Sequence, residues 1–287
     1  MSERALSFRC GPDSLIGILH ESPRATTKTG VLIIVGGPQY RVGSHRQFVL
    51  MARSLAERGC PVMRFDYRGM GDSDGAVRTF DAVSADIRAA VDAFFNAQPN
   101  LSGVVLWGLC DGASAALMYC GDDARVKGVI IANPWVRTAE SEARTYLKHY
   151  YLQRLMQGSF WRKLLTGGFN PAKSAREISA SVATASRASN ETAAASPDGS
   201  YIDRMLNGLK ATDAPVLVLL SDRDLTAREF SDLCARDRKW KSAIGRSRVR
   251  VVSVTDADHT FSTRAALDKA TEHCATWLEQ AVRASGK

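Results

Sequence analysis

Six short runs of apolar, largely β-branched residues, at 31–35, 62–65, 104–107, 128–132, 216–220 and 249–254, constrain the fold of this chain more than any other feature. Each is bounded by Gly, Pro or polar turn residues, and segments of helical periodicity separate most of them. That alternation predicts an α/β architecture, a mostly parallel sheet flanked by helices. Near-continuous apolar runs further predict strands buried on both faces. Ahead of them, residues 5–8 and 15–20 flank Gly11-Pro12-Asp13 and read as an antiparallel hairpin on the sheet edge. Phe48, Met51, Ala52 and Leu55 share one helical face that stops at Gly59, and Phe80, Val83, Ile87, Val91, Phe94 and Phe95 share another. A last stripe holds Leu267, Ala270, Cys274, Trp277 and Ala281. These stripes read as core packing.

At 287 residues the chain is long enough for one large domain with an insertion, and its 45% hydrophobic and 24% charged residues exclude disorder as a description of the whole. The alternation fails between residues 137 and 212, where no strand is legible. The expected organisation is therefore a core of residues 1–136 and 213–287 interrupted by a helical lid at 137–212. The first half of that insertion carries Tyr146, Tyr150, Tyr151, Phe160 and Trp161, and residues 179–200 are rich in Ala, Ser and Thr.

Chemistry concentrates in Gly108-Leu109-Cys110-Asp111-Gly112, which follows an apolar strand and opens a helix of small residues. A strand turning sharply into a helix needs small residues two positions either side of the turn, and Gly108 and Gly112 supply them. The side chain at the apex, Cys110, is then presented at a helix N-terminus whose dipole favours an anion. Asp111 acts against that anion as a neighbouring negative charge. Gly71-Asp72-Ser73-Asp74-Gly75 has a similar spacing, but no strand feeds it directly and no periodic helix follows. That segment reads as a structural loop.

A thiol nucleophile needs a base and a group that orients the base. Of His20, His45, His149, His259 and His273, only His259 follows a strand in a loop that precedes a helix. The strand at 216–220 runs into Ser221-Asp222-Arg223-Asp224, and Asp224 is the expected acid because it lies further into the loop. The corresponding position after the 128–132 strand holds Asn133. For the oxyanion hole, the backbone N–H of Asp111 is one expected donor. Pro38 has no N–H to give, so Gln39 is expected to supply the other from the turn after the third strand.

These segments, in the order Gly36-Gly37, Asp66-Tyr67-Arg68-Gly69-Met70-Gly71-Asp72-Ser73, Cys110, Asp224 and His259, resemble an α/β-hydrolase over nearly the whole length. More narrowly, residues 36–46 (GGPQYRVGSHR) together with residues 108–112 resemble the first type of exosortase A system-associated hydrolase. That family lies beside exopolysaccharide and exosortase genes in bacteria, and its neighbourhood often includes acyl carrier and acyl-activating proteins. The resemblance implies a hydrolase acting on an ester or thioester through Cys110, His259 and Asp224, with no cofactor and no metal. Acyl transfer on the same triad, and a binding protein that keeps the fold without useful turnover, are the alternatives.

The remaining cysteines, Cys10, Cys60, Cys120, Cys234 and Cys274, form no Cys-x-x-Cys pair and read as reduced packing residues. The N-terminus lacks an apolar h-region and no run is long enough to span a bilayer, so a cytoplasmic protein is expected. The formal charge is +8, with seven cations between Arg236 and Arg250 and eleven cations against six acids in residues 137–212. Such a surface would attract an acidic acyl carrier protein. No recognised nucleic-acid motif accompanies the charge, and none is expected to bind.

Overall fold

The computed structural model describes residues 2–22, 26–37, 39–137 and 199–285. The aromatic residues expected to line a lid, and His149, lie outside these. Two antiparallel strands, β1 (Ser2–Cys10) and β2 (Asp13–Glu21), are joined by a tight turn at Gly11-Pro12 and pair residue for residue from Ser2 with Glu21 to Cys10 with Asp13. They are followed by β3 (Thr29–Ile34), β4 (Val62–Phe65), β5 (Gly103–Leu109), β6 (Val126–Ala132), β7 (Val216–Ser221) and β8 (Val249–Val254). The sheet order is β1-β2-β4-β3-β5-β6-β7-β8, antiparallel as far as β4 and parallel from there on.

Alternation along the central strands divides the core between the two faces. Leu32, Ile34, Val104 and Leu106 face one side, where they pack with α2 (Ser84–Ala97), α3 (Asp111–Tyr119) and α4 (Tyr201–Ala211). Val31, Ile33, Val105 and Trp107 face the other, where α1 (Gln47–Glu57) and α7 (Arg264–Ser285) cover them. Two more helices, α5 (Leu225–Arg236) and α6 (Arg238–Ile244), connect β7 to β8. The expected double burial holds for β3 to β7. It fails for β8, an edge strand that leaves Val251 48% exposed.

Two boundaries differ from the sequence reading. The 80–95 stripe does not form one helix: Phe80–Ala82 is a 3₁₀ turn and α2 begins at Ser84. Phe80 is used instead in an edge-on contact with Tyr201, ring centroids 5.1 Å apart. The insertion was expected to run to Thr212, but the compact unit that holds the sheet comprises Met1–Val136 and Tyr201–Lys287, and Arg137–Ser200 forms the other unit. Helix α4 therefore belongs to the core. Its Met205 and Leu209 are fully buried with the small residues of α3, and Arg204 reaches Asp81 at 2.9 Å.

Candidate active site

Strand β5 delivers Cys110 to a turn that a standard L-residue adopts only under strain, with φ 60° and ψ −126°. Such a conformation costs on the order of 1–3 kcal/mol and persists only where its surroundings fix it. Here the Cys110 amide donates to the Ala132 carbonyl at 3.0 Å, and its carbonyl accepts from Ala113, Ser114 and Trp135 at 3.0, 3.2 and 3.2 Å. The Ser114 hydroxyl donates to the Trp135 carbonyl at 2.7 Å, tying the chain after β6 to α3. The two elbow glycines are required by space. A Cβ on Gly108 would lie 2.6 Å from the Ala113 nitrogen, and one on Gly112 would lie 2.6 Å from the Ile34 oxygen.

The acid comes from the end of β7. Asp224 caps α5, accepting from the amides of Thr226 and Ala227 at 3.2 and 3.1 Å, and those bonds aim its Oδ2 at His259 Nδ1, 2.9 Å away. Asp222 has a different task. It accepts from the amides of Asp256 and Ala257 at 3.0 and 3.1 Å and so holds the loop that carries His259. The imidazole hydrogen-bonds to Asp224 and to Cys110, and these two bonds, against the opposing effect of burial, push its pKa up to about 10. Cys110, His259 and Asp224 thus meet at the C-terminal edge of the sheet, the first two half-buried and the third buried.

Asn133 has a positioning role that its sequence context did not disclose. Its side-chain amide donates to Ser221 Oγ at 2.9 Å and to the His259 carbonyl at 3.0 Å, and its Oδ1 accepts from the Ser221 amide at 2.8 Å. One side chain therefore ties the ends of β6 and β7 to the histidine loop. Its φ of 45° after a strand, unusual for any residue but glycine, is the only local sign.

The loop amide that reaches the elbow is that of Gly37, which donates to Asp111 Oδ1 at 2.5 Å. The side-chain oxygen of Gln39, whose backbone N–H is the expected donor, accepts from the Ser44 amide at 3.1 Å. Ser73 is occupied elsewhere: its hydroxyl donates to the Asp66 carbonyl at 2.7 Å and accepts from the Ile16 amide at 2.9 Å, fastening the loop to β2. His20 is buried against Arg64, which with burial pushes its pKa down to about 4, while His45 is exposed and His273 lies on α7. Burial drives the thiols of Cys60, Cys120, Cys234 and Cys274 up to about 12. Among the described residues no three His, Cys, Asp or Glu side chains form a group able to hold a metal ion.

A family model described as serine aminopeptidase, S33, matches residues 27–229, which include the elbow and Asp224. The chain belongs to this family. It is an α/β-fold hydrolase, with Cys110 at its elbow. No curated protein matches the hydrolase in sequence. Solved structures match it closely in fold. An esterase from Pyrococcus furiosus superposes with a TM-score of 0.64 at 15% identity over 97% of this chain and 91% of that one. Est1E from Butyrivibrio proteoclasticus, with ferulic acid bound, gives 0.63 at 17% identity over 97% and 100%. Proline iminopeptidase from Mycobacterium smegmatis gives 0.61 at 14% identity over 98% and 100%.

Proposed function

We propose that the hydrolase cleaves an acyl ester or thioester through an acyl-enzyme on Cys110. The observation that carries this reading is the strained Cys110 elbow facing an imidazole whose other nitrogen is fixed by Asp224. His259 takes the thiol proton and becomes the imidazolium that Asp224 favours. The sulfur attacks the carbonyl carbon, and as the tetrahedral adduct collapses the imidazolium returns its proton to the departing alcohol or thiol. Neutral His259 then removes a proton from water, the resulting hydroxide adds to the acyl carbon, and as the adduct collapses the Cys110 sulfur leaves and takes the proton back from the imidazolium while a carboxylic acid departs. Thioesters are the favoured class because exchange of one thioester for another changes bond energy little. Amide cleavage would demand protonation of a much poorer leaving group.

The narrower setting implied by residues 36–46, acyl chemistry beside exopolysaccharide assembly, belongs to this proposal. So does an acidic acyl carrier as donor. What supports the carrier is the formal charge of +8 alone, because Lys210 and Arg246 precede β7 and β8 and so lie at the sheet edge opposite Cys110. Transfer to an acceptor other than water uses the same first half-reaction.

Turnover of acyl thioesters and aryl esters by the wild type, Cys110→Ala and Ser73→Ala tests the reading. Cys110→Ala is expected to lower kcat by about 10³-fold or more, and folded Ser73→Ala to retain activity. Equal turnover by wild type and Cys110→Ala would remove the proposal. Absence of turnover in the wild type on every substrate would favour a binding protein.

A further inference from the structure

The side chain of Asp111 reaches back to the loop that follows β3. Its amide is the first expected oxyanion donor, and the loop amide beside it is that of Gly37. The Asp111 carboxylate accepts from the Gly37 amide at 2.5 Å, and the amides of Asp111 itself and Gly112 lie near enough to hold its pKa down. The seat is shaped for it. A Cβ on Gly36 would collide with Asp111 Oδ1 and with the Leu109 carbonyl, so glycine at 36 is what leaves room for the carboxylate. His259 lies near enough to act on it electrostatically. Three converging N–H groups and a nearby imidazole are the surroundings that a tetrahedral oxyanion would be given.

We propose that Asp111 occupies the oxyanion site of the resting enzyme with its own carboxylate, and that a substrate carbonyl must displace it before Cys110 can be acylated. The proposal rests on the reading of Cys110 as nucleophile and adds a residue that sets how readily the site accepts a carbonyl. Burial raises the Asp111 pKa against the pull of the three amides. A half-buried carboxylate held by backbone donors is a competitor for those donors. Once displaced, it still places negative charge beside the developing oxyanion.

Removing that competitor is therefore a gain of function. Asp111→Ala and Asp111→Asn are expected to raise kcat/KM on a small acyl thioester by about tenfold, a fraction of what a full oxyanion donor contributes. A short aliphatic aldehyde gives an independent readout. The Cys110 sulfur bonds to the aldehyde carbon, the carbonyl π pair moves onto oxygen, the thiol proton ends on that oxygen or on His259, and nothing leaves. The new oxygen needs the oxyanion site, so Ki is expected to fall about tenfold in both variants. Alkylation of Cys110 by iodoacetamide, which needs no such site and responds only to the loss of a neighbouring negative charge, is expected to rise by no more than about twofold, well short of the gain in turnover.

Thermal melting establishes that each variant is folded, and Asp111→Asn keeps the side-chain shape if Asp111→Ala does not fold. Unchanged or reduced kcat/KM and unchanged aldehyde affinity in a folded variant would overturn the proposal. A rise in alkylation that matches the rise in turnover would also overturn it, because Asp111 would then act on the thiol. If Cys110→Ala keeps its turnover, the nucleophile reading fails. If Cys110→Ala is inactive and the Asp111 variants gain nothing, only the proposal about Asp111 fails.

Discussion

At the scale of single residues, Asp224 accepts from two amides at the start of α5 and so faces His259 Nδ1 at 2.9 Å. Cys110, Asp224 and His259 each follow an apolar strand in a short polar turn, and that placement brings them to one sheet edge. Gly37 left no such trace, because a backbone N–H is available at any residue but proline and its direction depends on the turn. Asn133 and Asp222 act through bonds to Ser221, His259, Asp256 and Ala257 that form only when β6, β7 and the loop after β8 come together. The pairing of His259 has a consequence for stability. Its pKa rises from 6.5 to about 10 on folding, so the protonated ring stabilises the fold fully below pH 6.5 and this contribution is lost as pH rises towards 10. The melting-temperature advantage of wild type over His259→Gln is expected to be largest near pH 6 and to shrink by pH 10. An advantage constant across that range would rule out the pairing.

At the scale of elements, apolar runs located the strands because strands buried on both faces leave little choice of residue. The same logic over-reached at β8, whose valines mimic a central strand although the strand closes the sheet. Helix α4 was missed as a core element because its apolar residues, Met205, Leu206 and Leu209, are few and follow a polar, Ala- and Ser-rich stretch. Its buried face meets α3, the helix that begins at the elbow, so α4 supports the element that presents Cys110. Leu209→Ala is expected to destabilise the protein by about 2–5 kcal/mol, the range for emptying a buried leucine site. Urea unfolding measures this, and a loss below about 0.5 kcal/mol, the level of an ordinary surface substitution, would contradict the placement of α4 in the core.

At the scale of the whole molecule, the fold was legible because apolar strand runs alternate with helical segments, the pattern of a mostly parallel sheet covered on both faces. The positive charge was less informative. Of the run from Arg236 to Arg250, Arg236 pairs with Asp232, Arg246 and Arg248 donate to the carbonyls of Lys210 and Leu209, and Arg250 donates to Gln280. Trp240, the aromatic within that run, is 2% exposed and packs edge-on against Phe230, so it offers no face to a nucleic-acid base. Among the described residues no helix is long and apolar enough to cross a membrane. What the molecule does bring together is Cys110, His259 and Asp224, from three separate strand ends. The most direct test is to mix the enzyme with an acyl thioester, quench in acid within the first turnover, and measure the intact and peptide masses. The expected result is one added acyl group on the peptide that contains Cys110, absent in Cys110→Ala. An acyl group on Ser73, or turnover with no acylated peptide at any quench time, would contradict the mechanism.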